Sequence, residues 1–267
     1  MQRTESPAED PPIDPTDGAS AGPLVIALHG ACANGAAWLP LRRELPPGVE
    51  LWAPDLPGHG SRAADEPFTL EAALALIAEL VATAAPRRPV LAGDSLGGYL
   101  ALAAAARIPQ GRLGGVVAGG CTWSMHGVAG ALARLTDVPA ALAERIVGPA
   151  RANALLASAA RRAADPETGR ALAAAGMRAA ARGESLRELR GLDLRALAAR
   201  IAVPVVFVNG RFDYPTRAGE RGLLARAVHS RLLVAERCGH GVSLFAPGVF
   251  ARACELALGG GAGLTAP

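Results

Sequence analysis

Gly93-Asp94-Ser95-Leu96-Gly97 stands between two stretches of different texture. Before it runs the short apolar segment Pro89–Ala92, and after it Leu96–Arg107 carries Ala and Leu at helical spacing. A strand that becomes a helix this abruptly needs small residues two positions either side of the turn, and glycines 93 and 97 supply them. The turn residue is then held in strained backbone with its hydroxyl standing clear. The following helix aims its free N–H groups and positive dipole end at that hydroxyl, where negative charge would develop. Ser95 is the candidate nucleophile. The pentapeptide alone carries little weight in a chain with 32 glycines among 267 residues; its strand–turn–helix setting carries more.

Outward from this turn the chain repeats the same alternation. Short apolar runs end in Gly or Asp at Leu24–Leu28, Val49–Ala53, Pro89–Ala92, Gly115–Ala118, Val203–Val208 and Arg231–Ala235, with helical stretches between them. Strands apolar on both faces that alternate with helices imply an α/β fold, a mostly parallel, doubly wound sheet covered on both sides. Reactive groups in such sheets sit at the carboxyl ends of the strands. Thr69–Ala85 reads as a helix capped by Thr69, with Ala72, Leu76 and Leu80 on one face and Pro86 as its stop. From 122 to 200 no strand-like run occurs, and Ala, Leu and Arg dominate at helical spacing. The expected organisation is a core of 23–121 and 201–258, a helical insertion at 122–200, and flexible tails at 1–22 and 259–267. The first tail is acidic and proline-rich, with a formal charge of −4, and the insertion is basic, at +5.

Composition removes several function classes. All 27 basic residues are arginine, so Schiff-base chemistry and the P-loop lysine have no candidate. A net charge of +3 and 4% aromatic residues give no footing for nucleic acid. Cys32, Cys121, Cys238 and Cys254 are scattered, with no ligand spacing for a metal, and no cofactor fingerprint is present. No apolar run approaches a membrane span, and Met1–Gly22 lacks a basic segment followed by an apolar one. The expectation is a cytoplasmic enzyme with no cofactor, no metal, no membrane contact and a small-molecule substrate; nothing specifies an oligomeric state.

A serine hydroxyl needs a base. Of His29, His59, His126, His229 and His240, the last follows the final strand-like run in Cys238-Gly239-His240-Gly241, a loop able to project an imidazole over Ser95. His29 and His59 also border the site, in loops that they are read as shaping, while His229 precedes its strand. The imidazole in turn needs a carboxylate to fix its tautomer. Asp213 closes Asn209-Gly210-Arg211-Phe212-Asp213 after the next-to-last strand, and the loop after the preceding strand offers no acid from Leu113 to Thr136. The order Ser95, Asp213, His240 results. Two backbone N–H groups would form an oxyanion hole, one from Leu96 and the other from Ala31 or Cys32 after the His29-Gly30 turn.

Taken in order, Leu28-His29-Gly30, Ala53-Pro54-Asp55-Leu56-Pro57-Gly58-His59-Gly60-Ser61, Gly93-Asp94-Ser95-Leu96-Gly97-Gly98, Asn209-Gly210-Arg211-Phe212-Asp213 and Gly239-His240 resemble the α/β-hydrolase superfamily over about 23–258. The resemblance implies a serine hydrolase for an ester, thioester or lactone, working through an acyl-serine. It implies also that the insertion is a cap lining the substrate pocket. Cys32, two residues after the His29-Gly30 turn, and Trp123 and His126 of the insertion are the candidate pocket residues. Asp94 departs from close relatives, which often carry histidine there, and is read as structural. The same site fits a carbon–carbon bond hydrolase or a cofactor-free perhydrolase, and a silent hydrolase fold that only binds is the reading from another class. Dehalogenases and epoxide hydrolases of this fold need an aspartate where Ser95 stands. Arginines 161, 162, 182, 187, 190 and 195 could receive a carboxylate or phosphate at the pocket mouth, or simply solvate the insertion's surface.

Overall fold

The computed structural model describes residues 22–260 apart from 65, 66, 110, 136 and 228. The two expected tails lie outside the described residues except for Gly22, Gly259 and Gly260. Six strands form one sheet: β1 (Leu24–Leu28), β2 (Glu50–Trp52), β3 (Val90–Asp94), β4 (Gly115–Gly119), β5 (Val205–Gly210) and β6 (Ser230–Ala235). Their order is β2-β1-β3-β4-β5-β6 and every pairing is parallel. All six expected strands are present; β3 and β5 extend two residues further toward their carboxyl ends than the apolar runs suggested, because glycine, aspartate and asparagine close the ladder there.

The helices are α1 (Leu39–Glu44), α2 (Leu70–Thr83), α3 (Leu96–Ala105), α4 (Gly127–Leu135), α5 (Val138–Val147), α6 (Pro149–Ala163), α7 (Pro166–Ala174), α8 (Ala181–Glu188), α9 (Leu194–Ala198), α10 (Tyr214–Arg217), α11 (Glu220–Leu224), α12 (Val242–Phe245) and α13 (Pro247–Leu258). Side chains alternate across each strand, so β1 sends Leu24, Ile26 and Leu28 into a core shared with α2 and α3. Val25 and Ala27 point the other way, into a second core with Phe250 and Ala253 of α13. Both faces are therefore apolar, as the runs required. Helices α4 to α9 occupy the connection between β4 and β5, in the region expected to be a helical insertion.

One detail of α2 differs from expectation. Thr69 does cap it, accepting from the Ala72 amide, but the buried face is Ala73, Leu74, Ile77 and Val81. Ala72, Leu76 and Leu80 are only half-buried, one residue off the packed stripe. The helix is apolar nearly all round, so its sequence leaves the angle of approach to the sheet to be set by the neighbouring α3.

The sheet order positions the site. The chain leaves β1 for β2 at one edge, then returns to β3 on the other side of β1. The crevice outside the carboxyl ends of β1 and β3 is thus the switch point, where open α/β sheets bind ligands. Ser95 follows β3 and the His29-Gly30-Ala31 turn follows β1.

Candidate active site

Ser95 has φ 56° and ψ −118°, a backbone conformation L residues rarely adopt. Packing imposes it. A Cβ on Gly93 would overlap the Gly97 carbonyl, and one on Gly97 would overlap the Leu28 carbonyl, so only glycines let strand, turn and helix approach this closely. The Ser95 amide is fixed at 2.8 Å to the Gly119 carbonyl of the neighbouring strand end. Its hydroxyl donates to His240 Nε2 at 2.8 Å. His240 Nδ1 lies 2.8 Å from Asp213 Oδ2. A carboxylate only accepts, so Nδ1 carries the hydrogen and Nε2 is left as the acceptor for the Ser95 hydroxyl.

Each partner is held from below. Asp213 is buried, its amide donating to Gly210 at 3.1 Å and its carbonyl accepting from the Thr216 hydroxyl at 3.0 Å. A polar knot beneath it joins three segments: Asn209 Nδ2 donates to Thr122 Oγ1 at 2.9 Å and to Glu220 Oε1 at 3.0 Å, and Thr122 Oγ1 donates to the Thr216 carbonyl. The His240 loop is anchored from the other side by Asp94. One oxygen of that buried carboxylate accepts from the Ser243 amide at 2.8 Å and from its hydroxyl at 2.6 Å. Ser243 lies in α12, which begins two residues after His240, with left-handed Gly241 between. Asp94 thus ties the end of β3 to the histidine loop, the structural part read for it, by a contact that sequence spacing could not reveal.

Burial works to lower the His240 pKa, but the hydrogen bond that Nδ1 donates to Asp213 and the charges of Asp94 and Asp213 outweigh it. The net result lies above the ordinary histidine value, with Arg182 pulling the other way. His29 and His59 behave differently. Both are fully buried, with ring centroids 5.1 Å apart. His29 Nε2 accepts from the Leu56 amide at 3.0 Å and its Nδ1 donates to the Gly30 carbonyl at 2.9 Å. Burial and the neighbouring His59 push His29 down to about 4, and burial lowers His59 as well. They hold the two loops bordering the site. Asp55 organises the same loops, accepting from Gly35 at 2.7 Å and from Ser61 at 2.7 and 2.8 Å.

The amides of Ala31 and Leu96 make no hydrogen bond among the described residues, and both residues line the cavity over Ser95. That cavity holds about 240 Å³. Trp123 lines it, as expected. Cys32 and His126 do not. Cys32, with φ 68°, turns its thiol to the Ala179 carbonyl at 3.5 Å, under the segment leading into α8. His126 is exposed, at a bend just before α4, while Trp123 and Met125 line the cavity. Tyr99, Met125, Ala133, Arg182, Leu186 and Leu189 complete most of the wall; of these only Arg182 was singled out from the sequence, among the arginines considered at the pocket mouth. Tyr99 follows from one helical turn after Ser95; Met125 had no such signal. The thiols are not nucleophiles in waiting: burial pushes Cys32 up to about 11 and Cys254 to about 12, and raises Cys121 and Cys238 too. Among the described residues no group of three or more His, Cys, Asp or Glu is placed to hold a metal ion, and no helix is long and apolar enough to cross a membrane.

A model of the alpha/beta hydrolase family matches residues 25–253. The pimeloyl-[acyl-carrier protein] methyl ester esterase of Xanthomonas oryzae pv. oryzae is 42% identical over 92 residues, 34% of this chain and 34% of that protein. The match thus spans about a third of the length of the curated relative. Among solved structures, MenH from S. aureus superposes with a TM-score of 0.72 at 17% identity, over 89% of this chain and 93% of that one. E-2-(acetamidomethylene)succinate hydrolase gives 0.69 at 23% identity, over 87% and 90%. At these identities the two structures share the fold.

Proposed function

The chain belongs to the alpha/beta hydrolase family, and on that premise we propose that it is a serine hydrolase of carboxylic esters or thioesters. Ser95 is the nucleophile, His240 the general base and acid, and Asp213 the group that holds the imidazole. The observation that carries this reading is the unbroken line from Ser95 Oγ through His240 to Asp213, two contacts of 2.8 Å, at the floor of a largely apolar cavity.

The reaction follows from that line. His240 Nε2 takes the Ser95 proton as Oγ attacks the substrate carbonyl carbon, and the carbonyl oxygen becomes an oxyanion. The Leu96 amide, first in α3, and the Ala31 amide are the donors for that oxyanion, and the dipole of α3 adds to them. Collapse of the tetrahedral species breaks the acyl–oxygen or acyl–sulfur bond, and the imidazolium returns the proton to the leaving alcohol or thiol. Water then repeats the sequence on the acyl-serine, releasing the acid and free Ser95. Asp213 stabilises the imidazolium at each stage and keeps Nδ1 as the protonated nitrogen.

A cavity of about 240 Å³ lies below the usual range for drug-sized ligands and suits a short to medium acyl group. The relative that acts on a pimeloyl methyl ester supports the same bond type. The test is a panel of methyl esters and thioesters of rising acyl length. Saturable turnover with an initial burst of alcohol or thiol supports an acyl-serine; no turnover of any member, with no acylation of Ser95, favours a protein that only binds.

A further inference from the structure

The polar side chains around the cavity are mostly committed to their own backbone. The Tyr99 hydroxyl donates to the Trp123 carbonyl at 2.8 Å, Ser185 to Ala181 at 2.6 Å, and Thr216 to Asp213 at 3.0 Å. Asp213 and His240 hold one another. Among the described residues Arg182 is the one arginine lining the cavity. The other arginines considered at the pocket mouth, 161, 162, 187, 190 and 195, do not line it.

Arg182 is placed with some care. It stands in the first turn of α8, eight residues long, whose positive dipole end adds to its charge. Its Nε lies 3.3 Å from Asp137 Oδ1, and Gly183 beside it leaves room for that carboxylate: a Cβ there would come within 2.6 Å of Asp137 Oδ2. Asp137 therefore orients the guanidinium. A guanidinium has five donors in a planar fork, enough to serve a second carboxylate beside the first. The Arg182 side chain is 43% exposed, so it lies at the solvent side of the wall, and its charge is felt at His240. The wall between is apolar, from Leu96, Met125, Leu186 and Leu189.

We propose that Arg182 determines specificity and that the preferred substrate carries a carboxylate at the far end of its acyl chain, as in the half-ester or half-thioester of a dicarboxylic acid. The inference rests on the hydrolase reading above and names its substrate class. A straight aliphatic segment would lie against the apolar wall, its ester carbonyl at Ser95 and its carboxylate on the Arg182 fork. Phosphate fits less well, since a single guanidinium paired with Asp137 cannot offset a doubly charged group.

The experiment compares monomethyl esters of dicarboxylic acids of five to seven carbons with methyl alkanoates of the same acyl length, by acid release at constant pH. At the length turned over best, kcat/KM for the anionic ester should exceed that for the neutral one by about tenfold or more, the scale of one charge-assisted pair. Arg182→Gln should collapse that ratio to about one, chiefly through KM of the anionic ester. Arg182→Lys, which keeps the charge but loses the fork, should retain part of it. Arg161→Gln, outside the cavity, should keep the ratio. The neutral ester reports in the same samples that each variant is folded. Equal wild-type rates for the two series, or a preference that survives Arg182→Gln, overturns the inference while the hydrolase reading stands. Failure of every ester, with Ser95 unreactive toward a fluorophosphonate, removes both.

Discussion

Helices α3 and α6 are both rich in alanine, yet every residue of α3 is buried and no residue of α6 is. Composition does not make that difference; position on the sheet does. Helix α3 is wedged between β3, β4 and its neighbours, so its turns are fixed and the Ser95 turn at its start is fixed with them. Helix α6 lies in the insertion, where Val128, Leu135 and Ile146 of the nearby α4 and α5 stand 79%, 62% and 74% exposed. The groups proposed to react all come from the first kind of setting, after the ends of β3, β5 and β6. Residues 122–200 supply seven of the sixteen residues lining the pocket, Trp123, Met125, Ala133, Arg182, Ser185, Leu186 and Leu189. Rigid strand ends hold reacting atoms to a fraction of an ångström, while a lightly packed cover can change shape and residue without disturbing them.

If that division holds, substitutions at strand ends should act on kcat and substitutions in the insertion on KM. Ser95→Ala should give the largest effect, a loss of about 10⁵- to 10⁶-fold in kcat. Alanine fits the same space, so the melting temperature should shift by no more than a few degrees. Asp213→Asn comes next, at about 10⁴-fold, because an amide favours the wrong imidazole tautomer. Steady-state kinetics on one good ester checks both, and a loss under tenfold for either would break the contrast at its strongest point.

The strand ends were also the part the sequence made readable. A sharp turn needs glycine at 93 and 97, an imidazole needs an acid, and parallel strands apolar on both faces read as unbroken runs, so local chemistry pointed to Ser95, His240 and Asp213. The face of α2 was misread by one residue, since a helix apolar nearly all round carries no local signal for its angle. Cys32 and His126 were expected to line the pocket and do not, because the direction of a loop side chain depends on distant partners, as with the Cys32 thiol and the Ala179 carbonyl 147 positions away, or on local bends. The Asp94–Ser243 clamp joins residues 149 positions apart and has no sequence signature at all.

Asp94 tests the comparison in a finer way. Asparagine can still accept from Ser243, so the loop should stay anchored while a negative charge near His240 is lost. The elevated His240 pKa should then fall. Because the base must be neutral, kcat/KM rises as pH climbs through that pKa, and the acid limb should move to lower pH in Asp94→Asn. A profile from pH 5 to 9 reads it, with kcat at the plateau reduced by about tenfold or less. An acid limb that stays in place would mean the carboxylate serves the loop alone. The smallest effect belongs to the insertion: Leu186→Ala should change KM across acyl lengths by a few-fold and leave kcat for the shortest ester nearly constant.

The central claim is that one hydroxyl, Ser95 Oγ, carries the acyl group. The direct measurement is the intact mass of the whole chain after reaction with a fluorophosphonate, followed by peptide mapping. The account predicts one adduct per chain, located on Ser95, forming at a rate that rises through the pKa of His240 and absent from Ser95→Ala. A protein that turns over ester while its adduct sits on another residue, or while Ser95 stays unmodified, would contradict it.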